Sequence, residues 1–315
     1  VPFLKKMVKQ VISKTLIPSL TTELMSKKRV WAEEQSVGIF AKNIFDLLMA
    51  SPLPNQRILA IDPAFRSGCK LVCLNEQGDL LHNETIYPHP PQRDFKKAMK
   101  KLQNLVNAYK IDAIAIGNGT ASRETEYFVK KCRFNRDVKV FVVDESGASV
   151  YSASSIARKE FPGYDVTVRG AISIGRRLAD PMAELVKIDP KAIGVGQYQH
   201  DINQVLLKKK LDETVMLAVN NVGVNLNSAS SYLLRYVSGL GEKVADENVS
   251  YRTQKGGFRN RDELKKIAGL GSKTYEQAAG FLRIENGDEL LDATIVHPES
   301  YSLVYRMAKK LNCPV

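Results

Sequence analysis

The sequence has no long hydrophobic run. No segment approaches the ~18 consecutive apolar residues that a membrane-spanning helix needs, and the stretch from Val1 to Lys6 lacks the apolar core of a signal peptide. These two absences predict a cytoplasmic protein. The chain also lacks an initiator methionine and opens inside a helical pattern, so we expect it to be a piece of a longer protein.

Cysteine and histidine are scarce and scattered. The four cysteines are too few and too dispersed for a disulfide framework, and we predict that they are reduced thiols. The four histidines share no spacing typical of metal ligands, so no zinc site is expected. These residues are Cys69, Cys73, Cys132, Cys313, His82, His89, His200 and His297.

Acidic residues are outnumbered by basic ones. The chain has 46 Lys and Arg against 34 Asp and Glu, which gives a net charge of +12 and a pI near 9.4. This excess favours a polyanionic partner such as nucleic acid, although many basic proteins bind none, so the motifs must decide. The 315 residues, 44% of them hydrophobic, can bury a real core and predict two or three domains.

Periodicity divides the first half of the chain into a helical arm and a mixed α/β domain. Residues 22–50 repeat apolar side chains at helical spacing until Ser51-Pro52-Leu53-Pro54 breaks the helix, so 1–54 is a helical arm. Three strand-like runs then follow closely enough for an antiparallel meander, before alternating helices and strands. The predicted strands are 58–61, 69–74, 80–87, 111–116 and 138–143, and the predicted helices are 94–108, 122–131 and 149–159. The order βββαβαβα predicts an RNase H-like fold with a mixed sheet over 55–185.

The second half reads as all-α. Asp180-Pro181 can begin a helix that runs to Ile188, and a glycine-containing connector follows. From Leu211 onward short helices alternate with glycine turns. We predict a helix-hairpin-helix pair over 186–285 and the start of a further region over 286–315.

A nine-residue unit occurs twice, 30 residues apart. The segments VSGLGEKVA at 237–245 and IAGLGSKTY at 267–275 share the form apolar-x-Gly-apolar-Gly-x-Lys. Glycines allow a tight turn that approaches a sugar-phosphate chain closely, and the following helix aims its free N–H groups at a phosphate. The predicted nucleic-acid-binding residues are Gly239, Gly241, Lys243, Gly269, Gly271 and Lys273.

The alternative interpretation of each unit is a helix C-cap followed by an ordinary turn. Two copies with lysine at the same offset favour phosphate binding, and residues 235–283 hold ten basic against six acidic side chains. No base-reading pattern accompanies them, and Phe258 and Phe281 fit a core better than a stacking platform. We therefore expect sequence-independent binding of RNA, DNA or both.

Four carboxylates are candidates for a nuclease centre. RNase H-like nucleases hold two divalent metals with clustered acids, and Asp62, Asp144, Glu145 and Asp180 follow predicted strands or begin a helix. Mg²⁺ or Mn²⁺ would be the cofactor, with Asp62 and Asp180 as the candidate ligands. Each residue has a plainer interpretation, as a strand end or a helix cap. The fourth predicted strand leads to Asn118 where an acid would help to hold metal, and amides are poorer Mg²⁺ ligands than carboxylates.

Several longer strings resemble the Tex family of bacterial transcription accessory proteins. They are IDPAFRSGCK at 61–70, AIGNGTASRETE at 115–126, RRLADP at 176–181, IGVGQYQHD at 193–201 and HPESY at 297–301. The resemblance covers nearly the whole chain, with Ala64 and Ser67 standing where the family usually has Gly and Thr. It implies a YqgF or RuvC-like RNase H-fold domain, a helix-hairpin-helix pair, kinship with the elongation factor Spt6 and no established nuclease activity. Family members usually continue into an S1 RNA-binding domain, which this chain does not reach.

Three functions remain open at this point. The favoured one is a nucleic-acid-binding transcription accessory factor that grips backbone phosphates, without being an enzyme. The second is a metal-dependent nuclease or Holliday junction resolvase that uses the four carboxylates. The third is a docking module for RNA polymerase or another component of the transcription machinery.

Overall fold

A five-stranded mixed sheet forms the centre of the first half of the protein. The computed structural model describes residues 2–314. The strands are β1 (Ile58–Asp62), β2 (Cys69–Leu74), β3 (Leu80–Ile86), β4 (Ala113–Gly117) and β5 (Lys139–Val143). They lie in the order β3-β2-β1-β4-β5, in which β1 pairs antiparallel with β2 and parallel with β4. An antiparallel meander extended by parallel strands is the RNase H-like arrangement that the strand spacing predicts.

Helices cover both faces of this sheet. They are α3 (Phe95–Ala108), α4 (Ser122–Lys131), α5 (Ala148–Ala153), α6 (Ser155–Glu160), α7 (Val166–Ala179) and α8 (Pro181–Leu185). Alternate residues of β1 point to opposite faces, as the pleat requires. Leu59 and Ile61 join a cluster with α3 and α4, whereas Ile58 and Ala60 join one with α7.

The structure contains one long helix in this half, α7, that the sequence periodicity did not predict. Nine of its fourteen residues are buried, two arginines among them, so the polar side of the helix is covered as well as its apolar side. The buried arginines bond backbone carbonyls: Arg169 Nε donates to Phe161 O, and Arg177 Nη1 donates to Asp144 O and Ser146 O. The predicted helix over 149–159 is two helices, because Ser154 adopts an extended backbone and caps α6 by accepting a bond from Ala157 N–H.

The N-terminal arm is one long helical rod. It comprises α1 (Pro2–Val11), a π-helical turn (Ile12–Leu16) and α2 (Ile17–Leu48). Burial begins only at Val37, from where the rod packs on the C-terminal half. Asn43 Nδ2 donates to Val195 O at 2.7 Å, and the Phe40 ring occupies the position where a side chain at Gly196 would lie. Segment 193–201, one of the segments that resemble the Tex family, therefore holds the N-terminal arm in place.

The second half is built from short helices around one core. These are α9 (Gln204–Val222), α10 (Ser231–Leu234), α11 (Glu242–Lys255), α12 (Ser272–Ala279) and α13 (Tyr301–Leu311), with 3₁₀ turns at Pro190–Ile193, Gln199–Asp201, Arg261–Lys266, Leu290–Ala293 and Pro298–Ser300. Two short parallel strands, β6 (Val224–Asn225) and β7 (Leu282–Arg283), bracket the repeated units. Phe258 is buried and Phe281 packs against the same core, as predicted.

Two further expectations concern the whole chain. Within residues 2–314, no helix is long and apolar enough to cross a membrane. The four cysteines are free thiols, three of them buried and Cys313 exposed.

Candidate nucleic-acid interface

The two repeated units adopt the same backbone form. Gly239 and Gly269 have φ of +88° and +83°, in the left-handed region that favours glycine. The apolar anchors on both sides of each of these glycines are buried, whereas the glycines and lysines predicted to bind nucleic acid are exposed. The buried anchors are Val237, Leu240, Ile267 and Leu270. The apolar residues of each turn therefore anchor it to the core, while its glycines and lysine face solvent.

Each unit leads into a helix whose first amides are free. Helices α11 and α12 begin after Gly241 and Gly271, and neither glycine can supply a side-chain cap. The intrahelical ladders start with Ala245 N–H donating to Gly241 O and Tyr275 N–H donating to Gly271 O, both at 2.9 Å. The preceding N–H groups of each first turn have no partner within the helix. Together with the positive end of the helix dipole, they present to solvent the hydrogen-bond donors and the field that favour an anion.

The two hairpins pack against each other reciprocally. A Cβ added at Gly239 would lie 3.1 Å from Thr274 O on α12, and one added at Gly269 would lie 3.6 Å from Val244 on α11. Each turn thus contacts the first turn of the other hairpin's second helix. Nothing lies within 4 Å of a Cβ built at Gly241 or at Gly271. The starts of α11 and α12 therefore lie close to each other, and neither Gly241 nor Gly271 is covered by another part of the protein.

Two side chains that sequence reasoning missed hold the hairpins in place. Asn220 on α9 accepts a bond from Ser238 N–H and donates to the Ser238 hydroxyl, both at 3.1 Å. Arg261, which is 1% exposed, precedes the second hairpin and donates to the carbonyls of Leu282, Thr294 and Val296. An arginine inside the periodic pattern of a basic segment carries no signal that separates it from a surface arginine.

The carboxylates of Asp62 and Glu145 lie at one edge of the sheet, where β1 and β5 end. The Glu145 carboxylate lies over Gly117 and Gly119, so close that a Cβ on either glycine would overlap it. The pKa of Asp62 is raised to about 6, first by burial and second by the negative charge of Glu145, while Lys70 opposes the shift. Lys70 is the cross-strand neighbour of Asp62 on β2.

Asn118 ties together the ends of β4 and β5. Its Nδ2 donates to Asp144 Oδ2 at 3.1 Å, and its Oδ1 accepts a bond from Glu145 N–H at 3.0 Å. The other oxygen of Asp144 accepts from Ser146 N–H at 2.8 Å. Asp144 therefore organises the loop after β5. The string Gly-Asn-Gly at 117–119 is the sequence signal for this arrangement, since only glycine leaves room for Glu145.

Asp180 lies away from Asp62. A Cβ at Gly170 of α7 would be 3.7 Å from Asp62 Oδ2, whereas Asp180 follows the other end of the same helix. Ten residues of α-helix separate Gly170 and Asp180 by roughly 15 Å. Asp180 caps α8 by accepting a bond from Ala183 N–H at 2.9 Å. Asp62 and Asp180, the two candidate metal ligands, are therefore not brought together.

The donor set at the sheet edge does not fit a two-metal centre. Two-metal chemistry needs several carboxylates converging on ions about 3.5–4 Å apart. Within residues 2–314, no group of three or more His, Cys, Asp or Glu side chains is arranged to hold a metal ion. Asp62 and Glu145 remain as a pair, with Asn118 where a third acid would stand.

Comparison with known proteins assigns both halves of the chain. Residues 56–179 match the Tex protein YqgF-like domain, residues 219–283 match a helix-hairpin-helix motif, and residues 289–315 match a further domain of the helix-hairpin-helix class. The second match includes both repeated units.

Similar proteins occur in bacteria and in humans. Protein tex of Bordetella pertussis is 49% identical over 95% of this chain and 38% of its own length. The transcriptional accessory protein Tex of Neisseria gonorrhoeae is 46% identical over 92% of this chain and 38% of its own length. The human S1 RNA-binding domain-containing protein 1 is 44% identical over 85% of this chain and 27% of its own length. The chain spans less than half the length of these relatives. Because it carries the YqgF-like domain and the helix-hairpin-helix motifs, and shares nearly half of its residues with two Tex proteins, it belongs to the Tex family.

Proposed function

We propose that this chain binds nucleic acid without sequence specificity and does so as part of a transcription accessory factor. Backbone phosphates are the ligands, and RNA and DNA both supply them. The relatives named for transcription support the accessory role. The hairpin pair supports the binding role.

One observation carries the proposal. Two copies of one hairpin lie side by side, each with exposed glycines, free first-turn amides and an exposed lysine. Two such sites contact two phosphates at once, and none of their groups reads a base edge. Binding of this kind depends on counterion release, so its affinity falls steeply with salt.

Replacing Lys243 and Lys273 together with alanine tests the proposal. The double variant should bind unrelated duplexes and single strands more weakly by a similar factor. Its plot of log affinity against log salt should be shallower by roughly two, because each lost phosphate contact removes about one from the slope. Fluorescence anisotropy with labelled oligonucleotides over a salt series measures both quantities.

A second double variant controls for the effect that losing two positive charges has on binding wherever they lie. Lys97→Ala together with Lys130→Ala removes two lysines from α3 and α4, in the other half of the chain. This control should keep nearly all of the affinity. Unchanged binding by the Lys243 and Lys273 variant at low salt would show that the hairpins are not the site.

A nuclease is the second candidate, on the strength of the adjacent Asp62 and Glu145 carboxylates. Incubation of the protein with branched and single-stranded DNA and RNA, in Mg²⁺ or Mn²⁺, tests it. We expect no cleavage, because the donor set falls short of a two-metal centre. Cleavage that disappears in Asp62→Asn would establish the nuclease instead.

RNA polymerase is the proposed protein partner within the accessory role. The transcription-related names of the relatives are the support for it. A pull-down with the tagged chain measures this contact, provided that nuclease treatment first removes bridging nucleic acid. Retention of polymerase after that treatment supports direct docking, and complete loss contradicts it.

A further inference from the structure

The two hairpins share a backbone but differ in charge. Glu242 is the first residue of α11, whereas its counterpart 30 residues later, the first residue of α12, is Ser272. In the first eight residues of each helix, α11 has three acids and one lysine, whereas α12 has one acid and one lysine. The two hairpins therefore offer the same main-chain N–H donors but differ in the charges of the side chains around them.

Glu242 occupies the place where a phosphate would approach the first hairpin. Its side chain is exposed and lies at the N-terminal end of α11, where the free amides and the helix dipole favour a negative group. A carboxylate there competes with a phosphate for the same field and repels it. Asp246, one turn further along α11, is a second exposed negative charge, but the exposed Glu276 stands at the same position of α12, so the first-turn difference between the helices is Glu242.

Arg235, two residues before the first hairpin unit, is already engaged. Arg235 Nη2 lies 3.2 Å from Glu242 Oε1 and 3.8 Å from Asp246 Oδ1, and the guanidinium also stacks on the Tyr232 ring. A phosphate at this hairpin must separate these ion pairs or accept a position near uncompensated acids. The free charge left to the first hairpin is that of Lys243.

The second hairpin has no acid at the first position of its helix. Ser272 is exposed at the first position of α12, and a serine hydroxyl can donate to a phosphate oxygen. Lys273 is exposed beside it. Lys265 and Lys266 pair with Asp262 and Glu263 on their own 3₁₀ turn. Other acids border this hairpin, the exposed Glu276 among them, but none of them stands at the first position of the helix.

We propose that the second hairpin is the principal phosphate site and that Glu242 weakens the first. The inference rests on the proposed function and deepens it, since it assigns Glu242 and Ser272 as the residues that set the unequal affinities of the two halves. The complex then has one firm anchor at Lys273 and one weak contact at Lys243.

Single substitutions at the paired positions test the proposal in the full chain. Lys273→Ala should weaken binding of a labelled non-specific duplex about 5-fold at low salt, and Lys243→Ala less than about 2-fold. Glu242→Ser should tighten binding about 2-fold to 5-fold, whereas Ser272→Glu should weaken it by a similar factor. Anisotropy titrations over a salt series measure each variant.

The outcomes separate this inference from the proposed function. Equal losses in Lys243→Ala and Lys273→Ala would overturn the asymmetry and leave the hairpins as the binding site. No loss in either variant or in the double variant would overturn both. Glu242→Gln removes the charge at nearly constant shape, so unchanged affinity in both Glu242→Gln and Glu242→Ser would overturn the role of Glu242. All of these side chains are exposed, and thermal melts confirm that each variant is folded.

Discussion

At the scale of single residues, Asp62 is the side chain with the most consequential environment. Its carboxyl group is partly buried beside Glu145, and its pKa is raised from 3.8 to about 6 by burial first and by Glu145 second. The folded protein therefore keeps this proton up to about pH 6, whereas the unfolded chain loses it near pH 4. The contribution of Asp62 to stability is fully present below pH 4 and is lost as the pH rises through 6.

Asp62→Asn should accordingly stabilise the protein at neutral pH. Each pKa unit corresponds to about 1.4 kcal/mol, and discounting for solvent screening leaves an expected gain of about 1–2 kcal/mol at pH 7.5. The gain should vanish at pH 4. Denaturant unfolding of both proteins at the two pH values, in a chelating buffer, measures it.

The matched control removes an exposed carboxylate on α2, in Asp46→Asn. A gain for Asp62→Asn that is the same at pH 4 and pH 7.5 would contradict the assignment of the raised pKa. An equal gain in unfolding free energy at pH 7.5 in Asp46→Asn and Asp62→Asn would show that the change in net charge causes the gain.

At the scale of elements, glycine has opposite roles in two helices. Gly175 of α7 lies directly on the sheet, where an added Cβ would be 2.6 Å from Leu74 Cδ1 and 3.0 Å from Ala60 Cβ. Gly38 of α2 has nothing within 4 Å of an added Cβ. The first glycine sets how closely helix and sheet approach, and the second contributes only flexibility to the unfolded chain.

Alanine at these two positions should therefore change stability in opposite directions. Gly38→Ala should raise the free energy of unfolding by about 0.5–1 kcal/mol, through helix propensity. Gly175→Ala should lower it by about 1–2 kcal/mol, because overpacking against Leu74 and Ala60 exceeds the same propensity gain. Urea denaturation gives both values. Stabilisation by Gly175→Ala would mean that Leu74 moves aside at little cost.

At the scale of the whole molecule, a buried polar cluster joins the C-terminal segment to the second hairpin. Tyr301 O–H donates to Asp292 Oδ1 at 2.6 Å and accepts a bond from Arg261 Nη1 at 2.6 Å. Asp292 Oδ2 also accepts from Arg261 N–H at 2.8 Å. Since Arg261 begins the turn that leads into the second hairpin, residues 292–301 help to position that hairpin.

Tyr301→Phe should loosen this connection without leaving a cavity. It deprives a buried arginine and a buried aspartate of one partner each, which costs about 1–3 kcal/mol of unfolding free energy. Tyr305→Phe on the same helix is the matched control, because Tyr305 is exposed and its hydroxyl donates to the half-buried Glu289. Chemical denaturation compares the two. Equal losses of unfolding free energy in the two variants would show that the buried hydrogen bonds of the Tyr301 hydroxyl do not stabilise the protein.

Local chemistry determined much of this protein from the sequence alone. The five strands begin and end within two residues of their predicted bounds, because they are short apolar or β-branched runs bounded by turn residues. The glycines of the two repeated hairpin units are exposed to solvent, as the sequence predicts. Helix α7 was not predicted, although its apolar and polar residues lie on opposite sides, because Gly170 and Gly175 in its interior lower its helix propensity.

The tertiary structure alone decided which distant side chains meet. Asp62 and Glu145 are 83 positions apart in the chain and share one edge of the sheet, while Asp180 lies a helix length away. The reciprocal contact of Gly239 with α12 and Gly269 with α11 likewise depends on how the two units pack. Periodicity and turn chemistry report the neighbours of a residue along the chain, whereas these contacts follow from strand pairing and helix packing between remote segments.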